Sequence, residues 1–120
     1  NQIKKGISGI RDIIKLTKDD TSIAIMIDQR VSEGIESNFF NRKALTTTIP
    51  AQLVKKFHYK VVPVDIKRIN KHNFKIKFHK PISFDQDETI ESITLKLNKW
   101  LETIIFSNPT QWIWSHNRWK

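Results

Sequence analysis

The sequence predicts an α/β chain with a mixed, mostly parallel sheet flanked by helices. Two observations carry that expectation. The candidate elements run helix, strand, helix, strand, strand, helix, an alternation in which helices cover a sheet. The stretch Ser22-Ile23-Ala24-Ile25-Met26-Ile27 is a continuous apolar run of strand length, the pattern of a strand covered on both faces.

Each element has its own signal. Residues 7–18 read as a short amphipathic helix. Ser8 stands at its start as a cap, and Ile7, Ile10, Ile13, Ile14 and Thr17 fall on one face. Asp19-Asp20 make a turn, the apolar strand follows, and Asp28 ends it. Gln29 to Arg42 lacks periodicity and reads as a long loop of the functional kind. Thr48 and Pro50 mark the start of a second helix, with Ala51, Leu53, Val54 and Phe57 as its apolar stripe. Tyr59 to Ile66 reads as a second buried strand. Phe74, Ile76 and Phe78 alternate with Lys75, Lys77 and His79, so this third strand has one wet face and belongs at or near a sheet edge. Asp85 to Phe106 is the longest helix. Its apolar residues Ile90, Ile93, Leu97, Trp100, Leu101 and Ile104 recur at helical spacing, and Asp85, Asp87 and Glu88 suit its N-terminus. Asn108-Pro109 stops it, and a tryptophan-rich tail closes the chain.

Composition narrows the classes. The 120 residues are 38% hydrophobic and 28% charged, as in a folded domain or part of one. There is no cysteine, which excludes disulfides and Cys-based metal sites. No apolar run has the length of a membrane span, and Asn1 to Arg11 is too polar for a signal peptide. A first residue other than Met agrees with an excerpt from a longer protein. The net charge of +9 suits a polyanionic partner, either nucleic acid or an anionic membrane. Scattered lysines among many Asn and Ile also fit the bias of an AT-rich genome.

A complete catalytic constellation is not found. The four histidines show no zinc-like spacing, and three glycines make no phosphate-cradling loop. No Ser lies in a Gly-x-Ser-x-Gly elbow. A histidine base for acyl transfer wants a carboxylate to fix its tautomer. Five positions after His58, His72 and His79 stand Pro63, Lys77 and Phe84, so the pairing His-x-x-x-x-Asp/Glu does not occur here.

Two stretches are more specific. The first is Ile27-Asp28-Gln29-Arg30, then Glu33-Gly34-Ile35, then Asn38-Phe39-Phe40-Asn41-Arg42-Lys43-Ala44-Leu45-Thr46. The second is Pro109-Thr110-Gln111-Trp112-Ile113-Trp114-Ser115-His116-Asn117-Arg118-Trp119-Lys120. Together they resemble the late acyltransferases of lipid A biosynthesis, the lauroyl and myristoyl transferases of the glycerolipid acyltransferase superfamily. That family's patterns read like Asp-Gln, a spacer, Phe-Phe-Gly and Ala-x-Thr, and then Pro-Glu-Gln-Trp-x-Trp-x-His-x-Arg-Trp. Gly6 to Arg11 is similar to the start of the helix before the Asp-Gln strand, and Val61-Val62-Pro63-Val64 to a fourth conserved block, so the resemblance spans nearly the whole chain. Asn41 stands for the usual Gly, and Asn tolerates φ > 0. Thr110 stands for the usual Glu.

The resemblance implies a partial glycerolipid-acyltransferase-like fold. Residues 1–120 would be the C-terminal portion of a single acyltransferase domain, with the catalytic histidine, its acidic partner and an N-terminal anchor upstream. The reaction implied is transfer of a fatty acyl group from acyl carrier protein to a hydroxyl of a lipid A precursor. It would run at the cytoplasmic face of a Gram-negative inner membrane, with an anionic membrane surface as partner, no nucleic acid, no metal and no cofactor. Asp28, at the carboxyl end of a strand, would be a supporting catalytic carboxylate; a loop or helix cap is its plainer reading. Arg30 and Arg42 are candidates for the acceptor's phosphates or sugar acids, or else solvated loop charges. Phe39 and Phe40 would line an acyl pocket or anchor the loop in the core. Thr46 would bond within the site or cap the next helix. Trp112, Trp114, Arg118 and Trp119 would form a membrane-interface or packing tail. The segment alone is expected to be inactive. Two other classes compete: a basic nucleic-acid-binding module, with salt-sensitive binding, and a non-catalytic α/β binding domain, with a closed core.

Overall fold

The computed structural model describes residues 7–16 and 21–119. Helix α1 spans Ile7–Leu16, strands β1 and β2 Ile35–Phe39 and Arg42–Thr46, and helix α2 Ile49–Phe57. Strands β3 and β4 follow at Val64–Arg68 and Phe74–Phe78, then helix α3 at Ile90–Ser107 and a 3-10 turn at Pro109–Gln111. The α/β class holds, but the expected mostly parallel sheet is not seen among the described residues. Instead β1 pairs with β2 and β3 with β4, both antiparallel, as two separate two-stranded sheets. Short turns join each pair, and a parallel pair would need a long crossover.

The Ser22–Ile27 run is extended without joining a ladder. Its Ile23, Ile25 and Ile27 are half-buried while Ala24 and Met26 are exposed, so it is covered on one side rather than two. The expected long loop Gln29 to Arg42 contains β1. Within Tyr59 to Ile66, laddered pairing starts at Val64, preceded by a lone bridge between Val61 and Ile82. Thr17, Asp19 and Asp20 and the capping role of Ser8 lie outside what the described side chains address.

α3 is the spine. Thr89 is its N-cap, accepting from the Ser92 backbone N–H at 3.2 Å, so the helix begins at Ile90 and the acidic stretch from Asp85 precedes it as a turn. Its buried face meets β1 with Leu101 and Ile105 against Phe39 and Ala44, and α2 with Ile93 and Leu97 against Ala51. Ile27 packs on both clusters, which fixes the end of the extended segment beside the helix. α2 opens with Pro50 in its first turn, where a missing N–H is harmless. It ends on His58 in the left-handed region, φ 57°.

Candidate functional site

The two motif stretches, far apart in sequence, meet at one end of α3. The β1–β2 turn brings them there. Phe40 and Asn41 both have positive φ, 49° and 59°, the two-residue hairpin turn whose twist matches the flanking strands. Asn at the usual Gly position thus carries the conformation expected of it. A bulky residue is strained there. Two contacts hold Phe40: its backbone N–H donates to Glu102 Oε1 at 2.7 Å, and its ring lies 6.0 Å from that of Trp114. Gly34 enters β1 against the backbone of β2. A Cβ there would collide with the Thr46 carbonyl and the Val31 side chain.

Phe39 is fully buried at the centre. Trp119 stacks on it at 5.6 Å between centroids, Trp112 lies at 6.1 Å, and the Arg118 guanidinium sits 5.4 Å over its ring. The Trp119 indole N–H donates to the Phe39 carbonyl at 3.0 Å, tying the tail to the strand. Arg118, also fully buried, donates through Nη1 to the Leu45 carbonyl and through Nη2 to Thr46 Oγ1 at 2.9 Å. The Thr46 hydroxyl donates to the Ala44 carbonyl at 3.0 Å. Asn98 Nδ2, on the spine helix, donates to Thr46 Oγ1 and to the Asn38 carbonyl, each at 3.2 Å. Burial pushes the Arg118 guanidinium below its ordinary value, opposed by the charge of Asp28.

This arrangement sorts the predicted residues. Thr46 does not cap α2; it is the acceptor of a buried network. Thr48 holds the N-cap position without a side-chain capping bond, its hydroxyl accepting from Gln52 Nε2 at 2.8 Å, and Thr47 Oγ1 accepts from the Ile49 N–H instead. Phe39 is core, not an open pocket wall, while Phe40 is half-buried. Trp112 and Trp119 pack back onto the sheet; Trp114 is 49% exposed. Arg42 is exposed and lies 5.5 Å over the Trp119 ring. Arg30 is exposed on the loop and is not drawn into the cluster.

Asp28 faces open space. It lines a cavity of about 360 Å³ with Ile25, Ile27, Trp100, Leu101, Trp112 and others, walls that are mainly apolar. It also lines a smaller one of about 230 Å³ with Gln29, Gln111, Trp112, Ile113 and His116. Asp65 reaches the larger cavity too, and His79 Nε2 lies 2.6 Å from Asp65 Oδ2, both side chains about four-fifths buried at 21% and 20% exposure. The edge of Trp100 supports that imidazole, with centroids 5.4 Å apart. Spacing along the chain hid this pair. The signal was the two-residue period, which puts residues 65, 77 and 79 on one face of the hairpin. Gln111 was missed as well. Its side chain accepts from the Arg68 N–H at 2.8 Å and donates to the Arg68 carbonyl at 3.1 Å, joining the tail to β3. Among the described residues no group of three or more His, Asp or Glu side chains is placed to hold a metal, and no helix is long and apolar enough to cross a membrane.

The sequence matches the family model for bacterial lipid A biosynthesis acyltransferases over residues 2–120. No curated protein matches the chain.

Proposed function

The chain belongs to the bacterial lipid A biosynthesis acyltransferase family, and from that premise we propose that it is the substrate-side portion of one acyltransferase domain. The full enzyme moves a fatty acyl group from acyl carrier protein to a hydroxyl of a lipid A precursor, at the cytoplasmic face of the inner membrane. A histidine in the preceding part of the domain, oriented by a carboxylate, takes the proton of the acceptor hydroxyl. The alkoxide oxygen attacks the thioester carbonyl, an ester bond forms, and the carrier's thiol leaves with the proton.

The observation that carries this reading is the convergence of the two family stretches on Phe39, beside a cavity lined by Asp28. In this reading Asp28 supports the site, Arg30 and Arg42 on exposed loop surface meet the acceptor's phosphates, and the exposed Trp114 and Ile113 face the lipid headgroups. The portion reading draws on the uncovered apolar face of the β3–β4 hairpin. Val64, Ile66, Phe74, Ile76 and Phe78 are 42–73% exposed, more apolar surface than an isolated domain ordinarily leaves open. That face also counts against a self-contained binding domain with a closed core.

The test is acyl transfer by the complete gene product, supplied with acylated carrier protein and a lipid A precursor that bears a free acceptor hydroxyl, beside residues 1–120 alone. Acylated product is expected from the first and none from the second. Transfer by residues 1–120 would move the base into this chain, with His79 and Asp65 as the pair to test first. Salt-sensitive nucleic-acid binding with no acyl transfer would replace the reading altogether.

A further inference from the structure

The buried network around Phe39 carries an imbalance of charge and of hydrogen bonds. Arg118 is fully buried, yet its two terminal nitrogens donate to neutral oxygens, the Leu45 carbonyl and Thr46 Oγ1. Its Nε–H has no partner, and neither does the buried indole N–H of Trp112. A buried guanidinium calls for a counter-charge, and a buried donor without an acceptor is destabilising. The indole and the guanidinium belong to the tail, and both pack on Phe39.

The carboxylate whose charge acts on Arg118 is that of Asp28. Asp28 also shares the walls of both cavities with Trp112. It follows Ile27, which packs on both core clusters, so its backbone is held in place while its side chain can turn between rotamers within the cavities. The sequence alone separated these residues into a strand-end acid and a packing tail.

We infer that Trp112 is a positioning residue for Asp28: its unpartnered indole N–H, on the walls of both cavities that Asp28 lines, orients the carboxylate in the working site. The inference rests on the acyltransferase reading for its consequence, but not for its geometry. The tail then sets the direction of the carboxylate as well as covering the hairpin. Groups that interact couple when both are substituted, and the effects of independent ones multiply.

The experiment is a double-substitution cycle in the complete enzyme. Asp28→Asn is expected to lower kcat about tenfold or more, and Trp112→Phe, which keeps an aromatic ring and removes the N–H, about threefold to tenfold. The double variant is expected to fall no lower than Asp28→Asn alone. Losses that multiply overturn the inference. So does a rise in KM for the acceptor with kcat unchanged, which assigns the indole donor to the acceptor's phosphates. A readout that needs no turnover separates this inference from the functional reading: the NMR signal of the Trp112 indole proton. Asp28→Asn is expected to move that signal and to speed its exchange with solvent about tenfold. An unmoved signal overturns the inference even in an active enzyme. A moved signal in an enzyme that transfers no acyl group upholds it while the functional reading falls.

Discussion

The β1–β2 and β3–β4 hairpins each pair two strands of five residues antiparallel, and they differ in almost everything else. The first, IESNF with RKALT, is the more polar in sequence, yet it buries Ser37, Phe39, Ala44 and Thr46. The second, VDIKR with FKIKF, alternates cleanly and sets Val64 opposite Phe78 and Ile66 opposite Ile76, yet that apolar face is open. α3 lies across the first hairpin and the tryptophan tail wraps it. The second touches the rest mainly through Gln111 and the His79–Trp100 contact. Alternation therefore shows which face of a strand seeks cover, and not whether cover is supplied by neighbouring elements.

The sharpest way to break the comparison is to truncate one ring in each hairpin. Phe39→Ala is expected to destabilise the chain by about 3–5 kcal/mol, the range for a large buried aromatic. Phe78→Ala, 73% exposed in the native protein, is expected to change stability by under about 0.5 kcal/mol. Denaturant melts measure both in residues 1–120. Equal losses would mean that the second hairpin is enclosed in solution. In the complete enzyme the Phe78 loss is expected to grow toward the Phe39 value, because the apolar face would there be covered.

Gly34→Ala comes next. The added methyl meets the Thr46 carbonyl, and forcing an atom into backbone contact costs about 1–3 kcal/mol; the same melts would expose a tolerant site by showing no change. At the turn, Asn41→Val is expected to cost about 1–2 kcal/mol, since a β-branched side chain resists positive φ. Asn41→Gly is expected to be neutral within about 0.5 kcal/mol. A stable Asn41→Val would show that the turn changes its type.

The smallest effect lies outside both hairpins. Glu88 accepts from Lys96 at 2.7 Å and from the Asp85 N–H at 2.9 Å. These bonds, Lys96 first, hold its carboxyl below its ordinary value of 4.5. A carboxyl depressed in the folded state adds stability that is present above its unfolded pKa and lost as pH falls through the folded one. The melting temperatures of the parent chain and Glu88→Gln should therefore differ slightly at neutral pH and converge below pH 4.5. A gap that persists in acid would point to packing rather than charge.

The helices were legible because their signals are local. Ile93, Leu97 and Leu101 recur at helical spacing, and Pro50 and Asn108-Pro109 punctuate the chain. β1 was hidden because its inward residues, Ser37 and Phe39, pair a small polar side chain with a large ring and make no apolar alternation. The Ser22–Ile27 run misled in the opposite direction. It has strand composition, but a ladder needs a partner strand alongside, and among the described residues none pairs with it. Of the candidate site, residue types offered candidates, and their grouping was not legible. Residue type left Thr46 between a bond in the site and a helix cap, and the tail between a membrane interface and a packing element, because neither choice is written in short-range pattern.

The sequence by itself determined the α/β class, the helices, the left-handed tolerance at Asn41 and membership of the acyltransferase family, because each is written in short-range pattern or in residue identity. The tertiary structure alone decided that Asp28 and the tail share one end of α3, that Arg118 is enclosed rather than presented to a membrane, and that His79 meets Asp65. Those outcomes depend on which surfaces meet after α3 and the hairpins pack. Burial turns an ordinary arginine into a charge in need of a partner, and burial is a property of the fold and not of the residue.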